Sequence, residues 1–93
     1  MSIAPAETEI IGSWVVVNGR LTEDETCRRL RSLVENHLQH VATSADGWEK
    51  LYQDPNDGRY WEWLYPQAEM QRGGPPALRV LSPETARRRY GVR

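Results

Sequence analysis

The groups in this chain with the means for chemistry are two histidines three residues apart, His37 and His40, and three acids at Asp54, Asp57 and Glu62. An imidazole within hydrogen-bond reach of a carboxylate can move a proton near neutral pH, and such a pair would suit a small hydrolase. Nothing in the spacing adds to that reading. No nucleophile elbow, His-Glu-x-x-His or Cys-x-x-Cys pattern accompanies these residues, and no partner for paired-carboxylate chemistry is positioned near them. Two histidines do not make a metal site, and no nearby Cys or acid completes one, so both read as surface or core-edge residues of a helix. Asp54-Pro55-Asn56-Asp57-Gly58 matches a calcium loop only in part. Counting from Asp54, Gly58 comes fifth and Tyr65 twelfth, where an EF-hand needs Gly at six and Glu at twelve. The same residues are the ones a hairpin turn requires. The expectation is therefore no catalytic residue, no metal and no cofactor.

The alternative chemistry is recognition. Trp48 to Tyr65 holds six of the eight aromatics, and between Asp46 and Glu69 six acids face only Lys50 and Arg59. Trp and Tyr bring large apolar area, a hydrogen-bonding edge and little rotamer entropy to an interface. Because strand side chains alternate, about half of these aromatics belong to a core, and the rest are free to bind with the acids. The partner-binding residues expected on this basis are Asp54, Asp57, Arg59, Trp61, Glu62, Trp63 and Glu69. Arg87-Arg88-Arg89 is a weak argument for nucleic acid, since a sequence pI of about 6.1 supplies no broad basic field. These arginines suit the C-terminus of a helix or the acidic strands better. Gly73-Gly74-Pro75-Pro76 lacks the Gly-Lys-Ser/Thr ending of a phosphate loop and reads as a rigid connection.

These residues must be held by elements that the sequence also outlines. Ile10 to Val17 is rich in β-branched and aromatic residues and ends at Asn18-Gly19, which predicts one strand buried on both faces. Thr22-Glu23-Asp24-Glu25 matches a capping box, so a helix is expected from there. Cys27, Leu30, Leu33, Val34, His37, Leu38 and Val41 continue it at 3–4 residue spacing, with Cys27 as a small buried hydrophobe. Trp48–Gln53 and Arg59–Tyr65 flank the Asp54–Gly58 turn as a hairpin, with Trp61, Trp63 and Tyr65 on one face. Ala77–Leu81 reads as a strand, and Ser82-Pro83 opens a last helix that ends near Gly91. The order β-α-β-β-β-α predicts an α+β fold: a small antiparallel sheet of about four strands packed against one main helix, with a short C-terminal helix.

Ninety-three residues bound the chain to one core, expected over residues 9–91 after a flexible lead-in at 1–8. The net charge of -1 hides an asymmetry: residues 1–71 hold 12 acids and 6 bases, whereas residues 72–93 hold one acid and six bases. Such a division can orient a partner. A single cysteine, no basic and apolar leader and no run of roughly 20 apolar residues point to the cytoplasm and away from a membrane.

Glu9-Ile10-Ile11-Gly12-Ser13-Trp14, Asp24-Glu25-Thr26-Cys27-Arg28-Arg29, the run Leu51 to Glu62, and Tyr65 to Met70 through Gly73-Gly74-Pro75-Pro76 resemble the immunity protein 27 family of bacterial polymorphic toxin systems. The resemblance runs from about Glu7 to Tyr90, and its most specific part is Leu51 to Glu62. It implies a cytoplasmic antitoxin that binds a cognate toxin domain and blocks it stoichiometrically, with no catalytic residues to carry across. Gln71-Arg72 departs from a more glycine- or histidine-rich approach to the Pro-Pro loop, which leaves that loop without an implied role. Many such toxins are nucleases with basic clefts, which an acidic partner would complement. A monomer or weak homodimer is expected, without nucleic acid or membrane as partner. Two other classes stay open: a small hydrolase using Asp54, Asp57 or Glu62 with a histidine, and a self-associating scaffold subunit.

Overall fold

A computed structural model describes residues 3–68 and 74–92. Its strands are β1 (Glu9–Ile11), β2 (Trp14–Val17), β3 (Arg20–Glu23), β4 (Gln39–Thr43), β5 (Lys50–Gln53), β6 (Tyr60–Leu64) and β7 (Ala77–Leu81). Helix α1 (Glu25–Asn36) follows β3, and α2 (Pro83–Tyr90) follows β7. Five strands form one antiparallel sheet in the order β1-β7-β6-β5-β4, while β2 and β3 pair separately as a two-stranded ribbon. The expected α+β class holds, with one more strand in the sheet and the ribbon added.

Alternation along β6 organises both faces of the sheet. Trp61 and Trp63 point to the face where Leu30 and Leu33 of α1 pack, together with Ile10, Tyr52 and Leu78. Register explains the grouping, since Tyr52 and Val80 lie opposite Trp61, and Leu78 lies opposite Trp63. The opposite face buries Leu51 and Leu81 under Ala86 of α2, with Tyr60 and Tyr90 packed at the side. A bulge between His40 and Ala42 lets both Val41 and Ala42 join that second cluster. The C-terminal helix follows its sequence signals. Ser82 Oγ accepts from Thr85 N–H at 3.1 Å, Pro83 occupies the first turn and Gly91 closes the end at φ 69.

Two expectations fail at the N-terminal half. The single strand expected over Ile10–Val17 is broken at Gly12-Ser13. Asn18 and Gly19 both take positive φ, 53° and 75°, so the chain turns back as a two-residue hairpin of the primed type. Val15, Val16 and Val17 consequently leave the sheet and are exposed rather than buried on both faces. The helix starts at Glu25, capped by Asp24, whose Oδ1 accepts from Cys27 N–H at 2.9 Å; Thr22 lies in β3. A carboxylate caps at least as well as a hydroxyl and also suits the helix dipole. The helix ends at Asn36, so Leu38 and Val41 owe their apparent helical spacing to chance, and His40 stands on β4 instead of sharing a helix face with His37.

The described part of the lead-in is anchored. Ile3 is buried in the main core, and Glu7 accepts from both terminal nitrogens of Arg29 at 2.8 Å. Gly12 closes the same corner: its N–H reaches the Pro76 carbonyl at 2.9 Å, and a Cβ there would stand 2.5 Å from Cys27 Sγ. Gly12→Ala is therefore expected to lower unfolding free energy by about 1–3 kcal/mol in urea titration, because a well-packed site must shift to admit the methyl. The hydrogen bonds from Arg29 hold the Glu7 carboxyl down to about 2. Its stabilising effect is thus present above the ordinary carboxylate range and is lost as pH falls towards about 2. Because the pair is partly exposed, Glu7→Gln should cost less than about 1 kcal/mol at pH 7 and flatten the acid limb of a stability–pH curve below about pH 4.5.

Candidate partner interface

The Asp54–Gly58 turn joins β5 to β6 and is closed by Gly58 N–H on the Asp54 carbonyl at 2.8 Å. Asp54 itself points inward. Its Oδ1 accepts from Asn56 N–H at 2.8 Å and from His37 Nε2 at 3.1 Å, and its Oδ2 is buried without a hydrogen-bond partner among the described residues. Asp57 is exposed, and both its oxygens are taken by Arg59, at 3.0 Å from the backbone N–H and 2.7 Å from Nε. Those bonds lower the Asp57 pKa. Arg59 then spans to the N-terminal segment, donating to the Glu7 carbonyl at 2.6 Å and the Ala4 carbonyl at 3.2 Å, while its guanidinium lies 5.0 Å from the Trp61 ring.

Glu62 crosses to the face covered by α2. Tyr90 donates its hydroxyl to Oε2 at 2.6 Å, and Arg89 Nη1 reaches both oxygens at 3.1 and 3.3 Å. Burial, reinforced by this carboxylate, pushes the Tyr90 hydroxyl pKa up. Of the seven residues expected to face a partner, Asp54, Trp61, Glu62 and Trp63 are thus buried in the isolated chain, and Arg59 is half-buried in an internal network. Glu69 lies outside the described residues. Removing a buried Trp costs roughly 3–5 kcal/mol through the core alone, so Trp61 and Trp63 act first on folding.

A carboxylate and an imidazole do meet, at Asp54 and His37, but inside the fold. The His37 side chain is 11% exposed and Asp54 1%, and neither lines either of two clefts on the surface of the described residues. The pair joins the C-terminus of α1 to the β5–β6 turn. His40 instead packs edge-on to Tyr52 and bonds Thr43 Oγ1 at 2.9 Å.

The large apolar side chains left exposed lie elsewhere. Val16 is 70% exposed, Leu21 49% and Trp48 59%. A cleft of about 370 Å³ opens at the base of the β2–β3 ribbon between Trp14, Leu21, Tyr65 and Pro76, with the Glu23–Arg31 ion pair on its wall. A second cleft, of about 350 Å³, lies between Trp48, Tyr65, Asp46, Glu49 and Ala68. Tyr65 belongs to both, so the two clefts share that side chain, with Leu21 of the ribbon in one and Trp48 in the other. Exposed large apolar side chains beside such clefts make this side a candidate for contact with another protein. Trp48 and Tyr65 were within the aromatic run singled out from sequence; the ribbon was legible only from Asn18-Gly19, the strongest short hairpin signal, set between two β-rich runs.

The sequence model of the family described as Immunity protein 27 matches residues 16–82 of the chain. No curated protein and no solved structure matches it. The matched span takes in most of the ribbon, Tyr65 and Trp48 of the clefts but not Trp14, and the buried acids Asp54 and Glu62.

Two substitutions separate the folding role of the buried acids from binding. Asp54→Ala deprives His37 and Asn56 of their acceptor and should cost about 1–3 kcal/mol of stability, as leaving buried donors unsatisfied does. Tyr90→Phe leaves Glu62 one donor short and should cost about 1–3 kcal/mol, both read by chemical denaturation.

Proposed function

Since the chain belongs to the immunity protein 27 family, we propose that it binds a cognate toxin domain of a polymorphic toxin system in the cytoplasm of the producing cell. It would block that toxin stoichiometrically and without catalysis. Besides the family, the reading is supported by the exposed apolar side chains Val16, Leu21 and Trp48 beside the clefts of Trp14 and Tyr65. A standard interface takes roughly 800 Å² from each partner, a modest part of the 5985 Å² this chain exposes. The β2–β3 ribbon supplies rigid β-branched anchors that lose little rotamer entropy when covered. A buried, single Cys27 suits a reducing compartment. The acids beside Trp48, exposed Asp46 and half-buried Glu49, favour a toxin with a basic substrate cleft, as a nuclease has, because opposite charge steers association.

Exposed valines on a two-stranded ribbon also favour a second reading, a scaffold that pairs with its own copy through this face. Sedimentation of the isolated chain separates the two: a monomer below about 100 µM supports toxin binding, and a stable homo-oligomer supports the scaffold. The direct test is co-expression with the toxin domain encoded beside it. A complex of equal stoichiometry is expected, and failure to bind or protect would sink the immunity role. Val16→Thr with Leu21→Thr keeps strand propensity and removes apolar surface, so affinity should fall tenfold or more while the melting temperature stays within a few degrees. Unchanged affinity would move the interface off the ribbon.

A further inference from the structure

Arginine, acid and tryptophan recur together in this chain. Arg59 lies over Trp61 at 5.0 Å and is held there by Asp57 at 2.7 Å. Arg31 lies over Trp63 at 5.9 Å and is held by Glu23 at 2.9 Å. In each case the cation meets the electron-rich ring while a carboxylate fixes its position, which is how an arginine is retained at a half-exposed site.

Trp48 has the ring and the acids, and among the described residues no arginine or lysine lies against it. Its ring meets Tyr65 edge-on, centroids 5.6 Å apart and planes at 88°, so the two form a fixed corner of the 350 Å³ cleft. Asp46 is oriented from below: its Oδ1 accepts from Ser44 Oγ–H at 2.5 Å and from Trp48 N–H at 2.9 Å, which keeps the carboxylate charged. Glu49 is anchored through its backbone N–H on Ser44 Oγ at 3.0 Å, and its carboxylate makes no hydrogen bond or ion pair with a described residue. Burial raises its pKa, and the negative neighbours Glu62 and Asp46 add to the effect, while Arg89 is committed to Glu62. An arriving cation would relieve that repulsion.

We infer that the Trp48–Tyr65 cleft is a receptor for one basic side chain, Arg or Lys, presented by the protein partner. That this partner is a toxin rests on the function proposed above. The site is distinct from the apolar ribbon and adds charge selection to it: a neutral side chain of equal length gains the ring contact and loses both carboxylates.

The receptor can be tested without a toxin. The ¹⁵N-labelled full chain is titrated with N-acetyl-arginine amide and, separately, with its neutral isostere N-acetyl-citrulline amide. The Trp48 indole N–H signal is assigned by its loss in Trp48→Phe. A saturable shift of that signal with the arginine probe, several-fold weaker with citrulline and abolished by Asp46→Asn with Glu49→Gln, is expected. Equal shifts with both probes, or shifts indifferent to the two acids, would overturn the inference. In the toxin complex, Trp48→Ala should weaken binding tenfold or more, and the double acid variant should flatten the dependence of association rate on salt. Wild-type behaviour of both variants in a complex that does form overturns the receptor and leaves the immunity role standing. A positive arginine titration with no toxin bound supports the receptor and removes the toxin as its source.

Discussion

Everything in this fold is arranged about strand β6, which has to satisfy two opposed environments with consecutive residues. Trp61 and Trp63 commit one face to the apolar stripe of α1, and the register then forces Glu62 onto the other. A carboxylate in that position cannot be left bare, since an unpaired buried charge costs several kcal/mol. Helix α2 answers it with Tyr90 and Arg89, so the C-terminal helix is fixed by a polar requirement that its short apolar side, represented by Ala86, could not impose alone. Arg89, alone of the three consecutive arginines in α2, is in this sense tied to the aromatic alternation on β6.

The same economy governs the β5–β6 turn. Asp54 and Asp57 look equivalent in sequence, yet one turns in to receive His37 and the other turns out to hold Arg59. Arg59 in turn reaches the carbonyls of Ala4 and Glu7, which seats Ile3 in the core and binds the first residues to the sheet. Acid–aromatic density in a small domain therefore need not signal recognition. A chain without Phe fills its core with Trp and Tyr and holds the surrounding arginines and acids as internal struts.

This explains which parts were legible beforehand. The alternation of Trp61, Trp63 and Tyr65, the Ser82-Pro83 cap and the apolar stripe through Leu30 and Leu33 depend on local periodicity, and the structure follows them. The fate of Asp54 and Glu62 depends on which side chains other elements deliver, His37 from the end of α1 and Arg89 with Tyr90 from α2, and spacing within the run carries no trace of that. The Ile10–Val17 segment failed differently. Its composition fits a strand wherever it lies, and only the two positive-φ residues at Asn18-Gly19 decide that the valines fold back on Arg20–Glu23 instead of entering the sheet.

Once the buried acids are assigned to folding, the surface left over has a simpler logic. The ribbon supplies apolar area at Val16 and Leu21, and Trp48 supplies an aromatic face flanked by Asp46 and Glu49. Apolar contact sets how much a partner gains by docking, whereas the acidic corner sets which partners gain it, because only a cation is compensated there for losing water. Tyr65 stands between the two regions and contributes to both, so its own orientation, fixed by edge contacts with Trp63 and Trp48, couples the core of the sheet to the proposed binding surface. Of Trp61, Trp63 and Tyr65, which alternate on one face, only Tyr65, just past the end of β6, is partly buried, and it is there that the core reaches the proposed contact surface.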